Sequence, residues 1–470
     1  MRKYLTSGLL ALVGLFASCR TDSLTELRRG SHSTGVKVLI VGIDGLTPRL
    51  VDQFVAEGQM EVTRGLIERG SYGVLHSENP TISPALWTTI ATGRSRRAHG
   101  IKDFVATRDG SRRGLVGSHD RRTHALWTMA SAAGRTVGFA GWWATWPAEP
   151  VNGWLVSDRM AEDRWTRWTK AERSRALAYP ESLTEELVSQ IVDPMSLRAK
   201  DVREIVELEG AEIEEFDRAT EPIYAHAASV LKFAYAGQLS IERMADGLLA
   251  KGQPDLASVF LIANDPISHT FWHYFQPGAF PPFGADLEAG AIERLGRAIP
   301  NIHRHNDGVV GRLLDRVSPD TVVLLVSDHG FQASKRLPKP KLTDDDFRER
   351  DRQQAEGDDG GEVAVGQSGN HNLHGVLIAA GGPILKGAQP RKARIHDITP
   401  TVLALLGLPV AEDMDGRVLE ELIDPAFLAR FPVRRIPSYE KLLPQAVRDP
   451  TLKDEDQERL EMLRSLGYIQ

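Results

Sequence analysis

Apolar positions fall along this chain in short blocks separated by longer amphipathic stretches. Val36-Lys37-Val38-Leu39-Ile40-Val41 is β-branched and runs into Gly42-Ile43-Asp44-Gly45. That pattern predicts a strand buried on both faces, with a carboxylate at its C-terminal end. Thr136-Val137-Gly138-Phe139-Ala140 is a second such block. Ser258-Val259-Phe260-Leu261-Ile262-Ala263 ends in Asn264-Asp265, and Thr321-Val322-Val323-Leu324-Leu325-Val326 ends in Ser327-Asp328-His329-Gly330. Gly375-Val376-Leu377-Ile378-Ala379 follows His371 and His374. Helical spacing fills the stretches between, as in Ser83 to Thr92 and Glu221 through Leu249. Strand and helix in alternation predict an α/β fold with a doubly wound, mostly parallel sheet and helices on both faces. Such sheets bind ligands beyond the carboxyl ends of their strands, where these Asp residues fall.

Two stretches break the rhythm. Residues from about Met160 to Gln253 are charged and helical in period, with Trp165 and Trp168 near their start, and read as an inserted helical cap. Ala333 to Gly369 combines Lys335-Arg336-Leu337-Pro338-Lys339-Pro340-Lys341 with Asp344-Asp345-Asp346 and Asp358-Asp359, a surface-loop composition. The organisation expected is one α/β domain over 36–430 with the insertion at about 160–253, then a polar C-terminal extension over 431–470.

The chain opens Met1-Arg2-Lys3 and is apolar from Leu9 to Ala17. A basic start and a short apolar run describe a secretory signal over 1–18, too short for a span of about 20 residues. The one cysteine, Cys19, follows Leu15-Phe16-Ala17-Ser18. This resembles a bacterial lipobox, with Phe16 where Leu is usual. It implies lipid on Cys19, a tether over 19–35 and an envelope location; an ordinary cleaved signal is the alternative. With 470 residues, a net charge of −6 and 26% charged residues, the composition is that of a globular protein with no nucleic-acid footprint. A single cysteine excludes an intramolecular disulfide or a Cys-rich metal site.

The candidate chemistry sits at the strand ends. Asp44, Asp265 with His269 in an Asp-x-x-x-His spacing, adjacent Asp328-His329, and His371 together offer carboxylates and imidazoles. That donor set suits zinc, manganese or iron better than calcium. Ser83 precedes Pro84, and proline favours the first helical turn, so the sequence places Ser83 at a helix N-cap, where phosphate is attracted. A serine hydroxyl needs a base or a metal to become nucleophilic, and no Gly-x-Ser-x-Gly elbow is present around it.

These residues carry a resemblance. Gly42-Ile43-Asp44-Gly45, Pro80-Thr81-Ile82-Ser83-Pro84 with Thr92-Gly93 and His99-Gly100-Ile101, Asp265-Pro266-Ile267-Ser268-His269, Ser327-Asp328-His329-Gly330 and His371-Asn372-Leu373-His374-Gly375 are similar to motifs of the alkaline phosphatase superfamily. Within it the type I phosphodiesterase/nucleotide pyrophosphatase branch is the nearest. His396-Asp397-Ile398-Thr399-Pro400 and Met414-Asp415-Gly416-Arg417 also resemble that branch. The likeness covers about residues 36–145 and 255–420. It implies an alkaline-phosphatase-like fold and two divalent metals, zinc by preference. One would be held by Asp44, Ser83, Asp328 and His329, the other by Asp265, His269 and His371, with His374 as the rival to His371. It implies a phosphoserine on Ser83 and a small phosphorylated substrate. One departure concerns specificity: where the nucleotide pyrophosphatase pattern has a substrate-contacting Asn, this chain has Phe104, after Lys102-Asp103. Lys102 and Phe104 are therefore weak candidates for substrate contact. The sulfatase pattern is not matched, since Ser83 is followed directly by Pro84 with no corresponding Arg. A phosphotransferase or phosphonate-ester hydrolase on the same site, and a binding lipoprotein that keeps only the fold, are the alternatives.

Overall fold

The structure is a computed structural model. It describes residues 30–108, 111–160, 176–220, 226–280, 287–334 and 367–444, with Thr25, Leu27 and Arg28 ahead of them. Cys19 and the signal segment, Trp165, Trp168, the basic and acidic runs of 335–366 and the last 26 residues lie outside the described residues.

An eight-stranded sheet forms the centre. Its strands in chain order are β1 (Val38–Ile43), β2 (Ser71–His76), β3 (Val137–Ala140), β4 (Gly153–Val156), β5 (Ala178–Tyr179), β6 (Leu256–Leu261), β7 (Val322–Val326) and β8 (His374–Ala380). Their spatial order is β2-β8-β7-β1-β6-β3-β4-β5. The five central strands β7, β1, β6, β3 and β4 run parallel, while β8 and β5 run against their neighbours. All five strands read from the sequence are present; β2, β4 and the two-residue β5 are additions.

β1 shows why the apolar runs become strands. Val38 and Ile40 belong to the core on one face of the sheet, and Leu39, Val41 and Ile43 to the core on the other. A continuous apolar run satisfies both, as a doubly covered parallel sheet demands. Helices α1 (Ser83–Thr92), α2 (Leu126–Ala132) and α6 (Ile398–Leu405) pack on the first face; α3 (Ala227–Ala250) and α5 (Ala298–Leu314) pack on the second. Helix α4 (Asn264–Phe275) joins a third core with Val202, Phe216 and Leu231.

The stretch read as a helical insertion contributes to this frame in its described part. It supplies β5 at the sheet edge, and Ile241, Met244, Ala245 and Leu248 of α3 pack in the same core as Val41 and Leu261. Its apolar stripe is the buried side of a sheet-covering helix. Among the described residues no helix is long and apolar enough to cross a membrane.

Candidate active site

Strand register assembles the site. In the parallel ladder Gly42 of β1 lies opposite Val326 of β7. Asp44 and Asp328 both follow two residues later, in the turns that leave the carboxyl ends of these adjacent strands. Asp44 is 1% exposed and Asp328 is fully buried. The turn after β1 is held by Asn264, whose Nδ2 donates to the carbonyls of Asp44 (2.9 Å) and Gly45 (3.1 Å). Ser327 Oγ accepts from the Leu46 amide (2.8 Å) and donates to the His329 carbonyl (2.8 Å), joining the two strand ends.

β6 leads into α4, which opens on Asn264 and carries Asp265 and His269 at i, i+4 on one face. Asp265 Oδ1 lies 3.5 Å from His269 Nε2 and 3.0 Å from His371 Nε2. His371 sits on a short hairpin, Gly330–Ala333 against Gly369–Asn372, opposite Phe331. Its ring stacks on His329, with centroids 3.7 Å apart. His374 is exposed at the start of β8 and meets His76 edge-on at 5.6 Å, so between the two rivals it is His371 that joins the cluster.

Ser83 differs from its expected place by one residue. Ile82 is the N-cap of α1 and Ser83 the first helical residue, with Pro84 behind it. Ser83 Oγ points across the site instead of back onto its own helix, 3.4 Å from Asp44 Oδ1 and 3.5 Å from His329 Nε2. Every residue of α1 is buried, and the hydroxyls of Thr88, Thr89 and Thr92 are met by carbonyls four residues back. Beneath it, a Cβ on Gly42 would stand 2.8 Å from the Trp87 ring, so only glycine lets the helix approach β1 this closely.

The chemistry of the donors fits divalent cations. His269 Nδ1 lies 2.9 Å from the Gly369 carbonyl, His371 Nδ1 3.0 Å from the Thr81 carbonyl, and His329 Nδ1 3.2 Å from the Gly330 carbonyl. A carbonyl only accepts, so each of these nitrogens is an N–H, and a ring that gives up its other proton, as a metal ligand must, turns its Nε2 lone pair inward. The Nε2 atoms of His269 and His371 face each other at 2.8 Å, and that of His329 lies 3.2 Å from Asp44 Oδ1. Both Asp328 oxygens are buried with no hydrogen-bond partner among the described residues. Lone pairs facing lone pairs at these distances are what a cation satisfies. Two overlapping donor groups result, Asp265, His269 and His371, and Asp44, Asp265 and His329, with ligand atoms all within 4.8 Å in each. Asp328 Oδ2 adjoins the second at 3.6 Å from His329 Nε2.

Electrostatics separate the carboxylates. Burial, then Asp44 and Asp265, push the Asp328 carboxyl well above the usual range. Burial opposes ionisation of Asp265 too, but His269, His371 and His329 outweigh it and hold that carboxyl low.

Of the substrate candidates, Lys102 is exposed. Phe104 is buried with Val105 and Leu115, against Ile82 and Trp143. The supporting residues Thr81, Asn264, Ser327 and Gly369 were not singled out from sequence. Thr81 and Ser327 stand inside quoted motifs and Asn264 beside one, without a role of their own; Gly369 lies in a stretch with no periodic signal.

Buried carboxylates and imidazoles at the carboxyl edge of a doubly wound sheet, with a serine hydroxyl among them, match the site expected of the alkaline phosphatase superfamily. The chain belongs to the type I phosphodiesterase / nucleotide pyrophosphatase family, whose family model matches residues 38–380. Solved structures share its fold at low identity. Wild-type alkaline phosphatase PafA is 13% identical, with a TM-score of 0.50 over 83% of this chain and 100% of that one. Human ectonucleotide pyrophosphatase / phosphodiesterase 5 is 13% identical, with a TM-score of 0.46 over 82% and 99%. The phosphonate monoester hydrolase SpPMH from Silicibacter pomeroyi is 15% identical, with a TM-score of 0.42 over 82% and 76%. No curated protein sequence matches the chain.

Proposed function

We propose that this chain is a two-metal hydrolase of phosphate esters that works through a phosphoserine on Ser83. The observation that carries the reading is the position of Ser83 Oγ, at the start of a buried helix and within 3.5 Å of both Asp44 Oδ1 and His329 Nε2. Two divalent ions, zinc by preference, held by Asp44, Ser83, Asp328 and His329 and by Asp265, His269 and His371, would acidify the serine hydroxyl and neutralise the leaving oxygen. Ser83 gives up its hydroxyl proton and its Oγ bonds phosphorus as the bond to the alcohol oxygen breaks. The alcohol departs with a proton, and water then splits the phosphoserine and restores the hydroxyl. The start of α1 adds its partial positive charge beside the phosphoryl group.

The chain from residue 19 onward is expected to release nitrophenol from p-nitrophenyl phosphate or bis(p-nitrophenyl) phosphate. EDTA should abolish this and zinc restore it. Ser83→Ala should lower kcat by on the order of 10³-fold or more while zinc still binds. If zinc-loaded protein turns over neither ester, the hydrolase reading fails.

The N-terminal sequence supports lipid attachment at Cys19 and an envelope location. Cys19→Ser should move the protein from washed membranes to the soluble fraction; retention on the membrane would oppose the anchor.

A further inference from the structure

The motif His99-Gly100-Ile101 has no part in the site described above, yet its histidine is fully buried. The Ile101 amide donates to His99 Nδ1 at 3.2 Å. Burial first, then the charges of Arg96 and Arg121, push this imidazole down to about 3, so it is neutral and its proton is on Nε2. Nε2 lies 3.0 Å from Thr89 Oγ1. The Thr89 hydroxyl accepts that proton and stands 3.3 Å from Glu78 Oε1 and 3.1 Å from the Ala85 carbonyl.

Glu78 is gripped from the other side by Arg96. Its Oε1 accepts from Arg96 Nε at 3.1 Å. Arg96 Nη2 donates to the Glu78 carbonyl at 3.2 Å and also to the Pro80 carbonyl. One guanidinium, 13% exposed, thereby holds both the side chain and the backbone of the loop between β2 and α1. The planar fork of arginine suits this, and a lysine ammonium cannot reproduce its geometry.

That loop carries the two things the site needs placed. Thr81 meets His371 Nδ1 with its carbonyl at 3.0 Å and its hydroxyl at 3.1 Å, which turns Nε2 of His371 toward Asp265. Ser83 follows two residues on.

We propose that Arg96, backed by Glu78, Thr89 and His99, is a positioning residue. It fixes the loop that aims the His371 imidazole and the Ser83 hydroxyl. The kinetic half of this proposal rests on the hydrolase reading; the metal-binding half does not.

The test uses the chain from residue 19 and two readouts, a zinc titration of the metal-free protein and steady-state hydrolysis of bis(p-nitrophenyl) phosphate. Arg96→Ala is expected to weaken zinc binding and lower kcat, each by about 10–100-fold, the range for groups that orient metal ligands, with KM within about threefold. Arg96→Lys should recover part of both. Thr81→Val, which keeps the side-chain volume, should weaken zinc in the same way, and the double variant should fall short of the product of the singles. Arg97→Ala, an exposed neighbour, should match the parent. Should Arg96→Ala not fold, Arg96→Lys and Thr81→Val carry the same comparison. Zinc affinity and kcat within twofold of the parent in these variants, whatever their melting temperature, would overturn the proposal. If the zinc-loaded parent hydrolyses nothing, the hydrolase reading alone falls and the zinc titrations still decide the role of Arg96.

Discussion

Asp328 shows at the scale of a single residue what this site costs the fold. Both its oxygens are buried without hydrogen bonds among the described residues, and Asp44 lies beside it. A buried carboxyl with a second carboxyl beside it is expensive for a protein to hold, and replacing it by a neutral amide of similar size removes a repulsion. Asp328→Asn is therefore expected to stabilise the metal-free chain by about 1 kcal/mol or more and to raise its Tm in EDTA. The same variant should lose most of the rise in Tm that zinc gives the parent, since one ligand has lost its charge. Thermal unfolding with EDTA and with zinc checks both. A lower Tm for the variant in EDTA would mean the carboxylate is already satisfied without a cation.

The elements differ in how plainly the chain announces them. β1, β6 and β7 are continuous apolar runs because both their faces are covered, and each ends where its polar loop begins. Asp44, Asp265 and Asp328 were legible for that reason: a carboxylate at the end of such a run stands at the edge of the sheet. α1 was legible from its proline and its length. β2 was not, because Ser71-Tyr72-Gly73-Val74-Leu75-His76 is an edge strand with only Ser71 and Leu75 buried, and its alternation is weak. The long helix α3 was read as a helix but set apart as an insertion. Helical period reveals that a face is buried and says nothing of what buries it. His371 lies on a four-residue strand, too short for any period; its place ahead of an apolar run made it a candidate, and only the resemblance chose it over His374. The carbonyls that set the histidine tautomers were illegible, since every residue has one and only the folded backbone aims it.

At the scale of the whole molecule, buried imidazoles tie stability to pH. His303 in α5 donates from Nδ1 to the Ile299 carbonyl at 2.8 Å, packs edge-on against Phe54, and leaves a buried Nε2 with no hydrogen-bond partner among the described residues. Burial pushes it down to about 4, although the Ile299 carbonyl works the other way. Burial likewise pushes His273 of α4 down to about 4, and His99 lies lower still. In the unfolded chain these groups titrate near 6.5. Between pH 6.5 and 4 the unfolded state therefore binds more protons than the folded one, so stability rises with pH across that window. The contribution is fully present above pH 6.5 and is lost as the solution is acidified toward pH 4. Asp328 acts in the opposite sense, because a carboxyl raised in the fold is relieved by protonation. The difference between two chains sharing the same Asp328 separates the effects. His303→Leu, a replacement that needs no proton, is expected to lose about 1–2 kcal/mol less than the parent between pH 7 and pH 5. Denaturant unfolding of both chains in EDTA at the two pH values measures this without competition between protons and zinc at the site. Parallel losses in parent and variant would show that His303 is protonated as easily in the fold as in water.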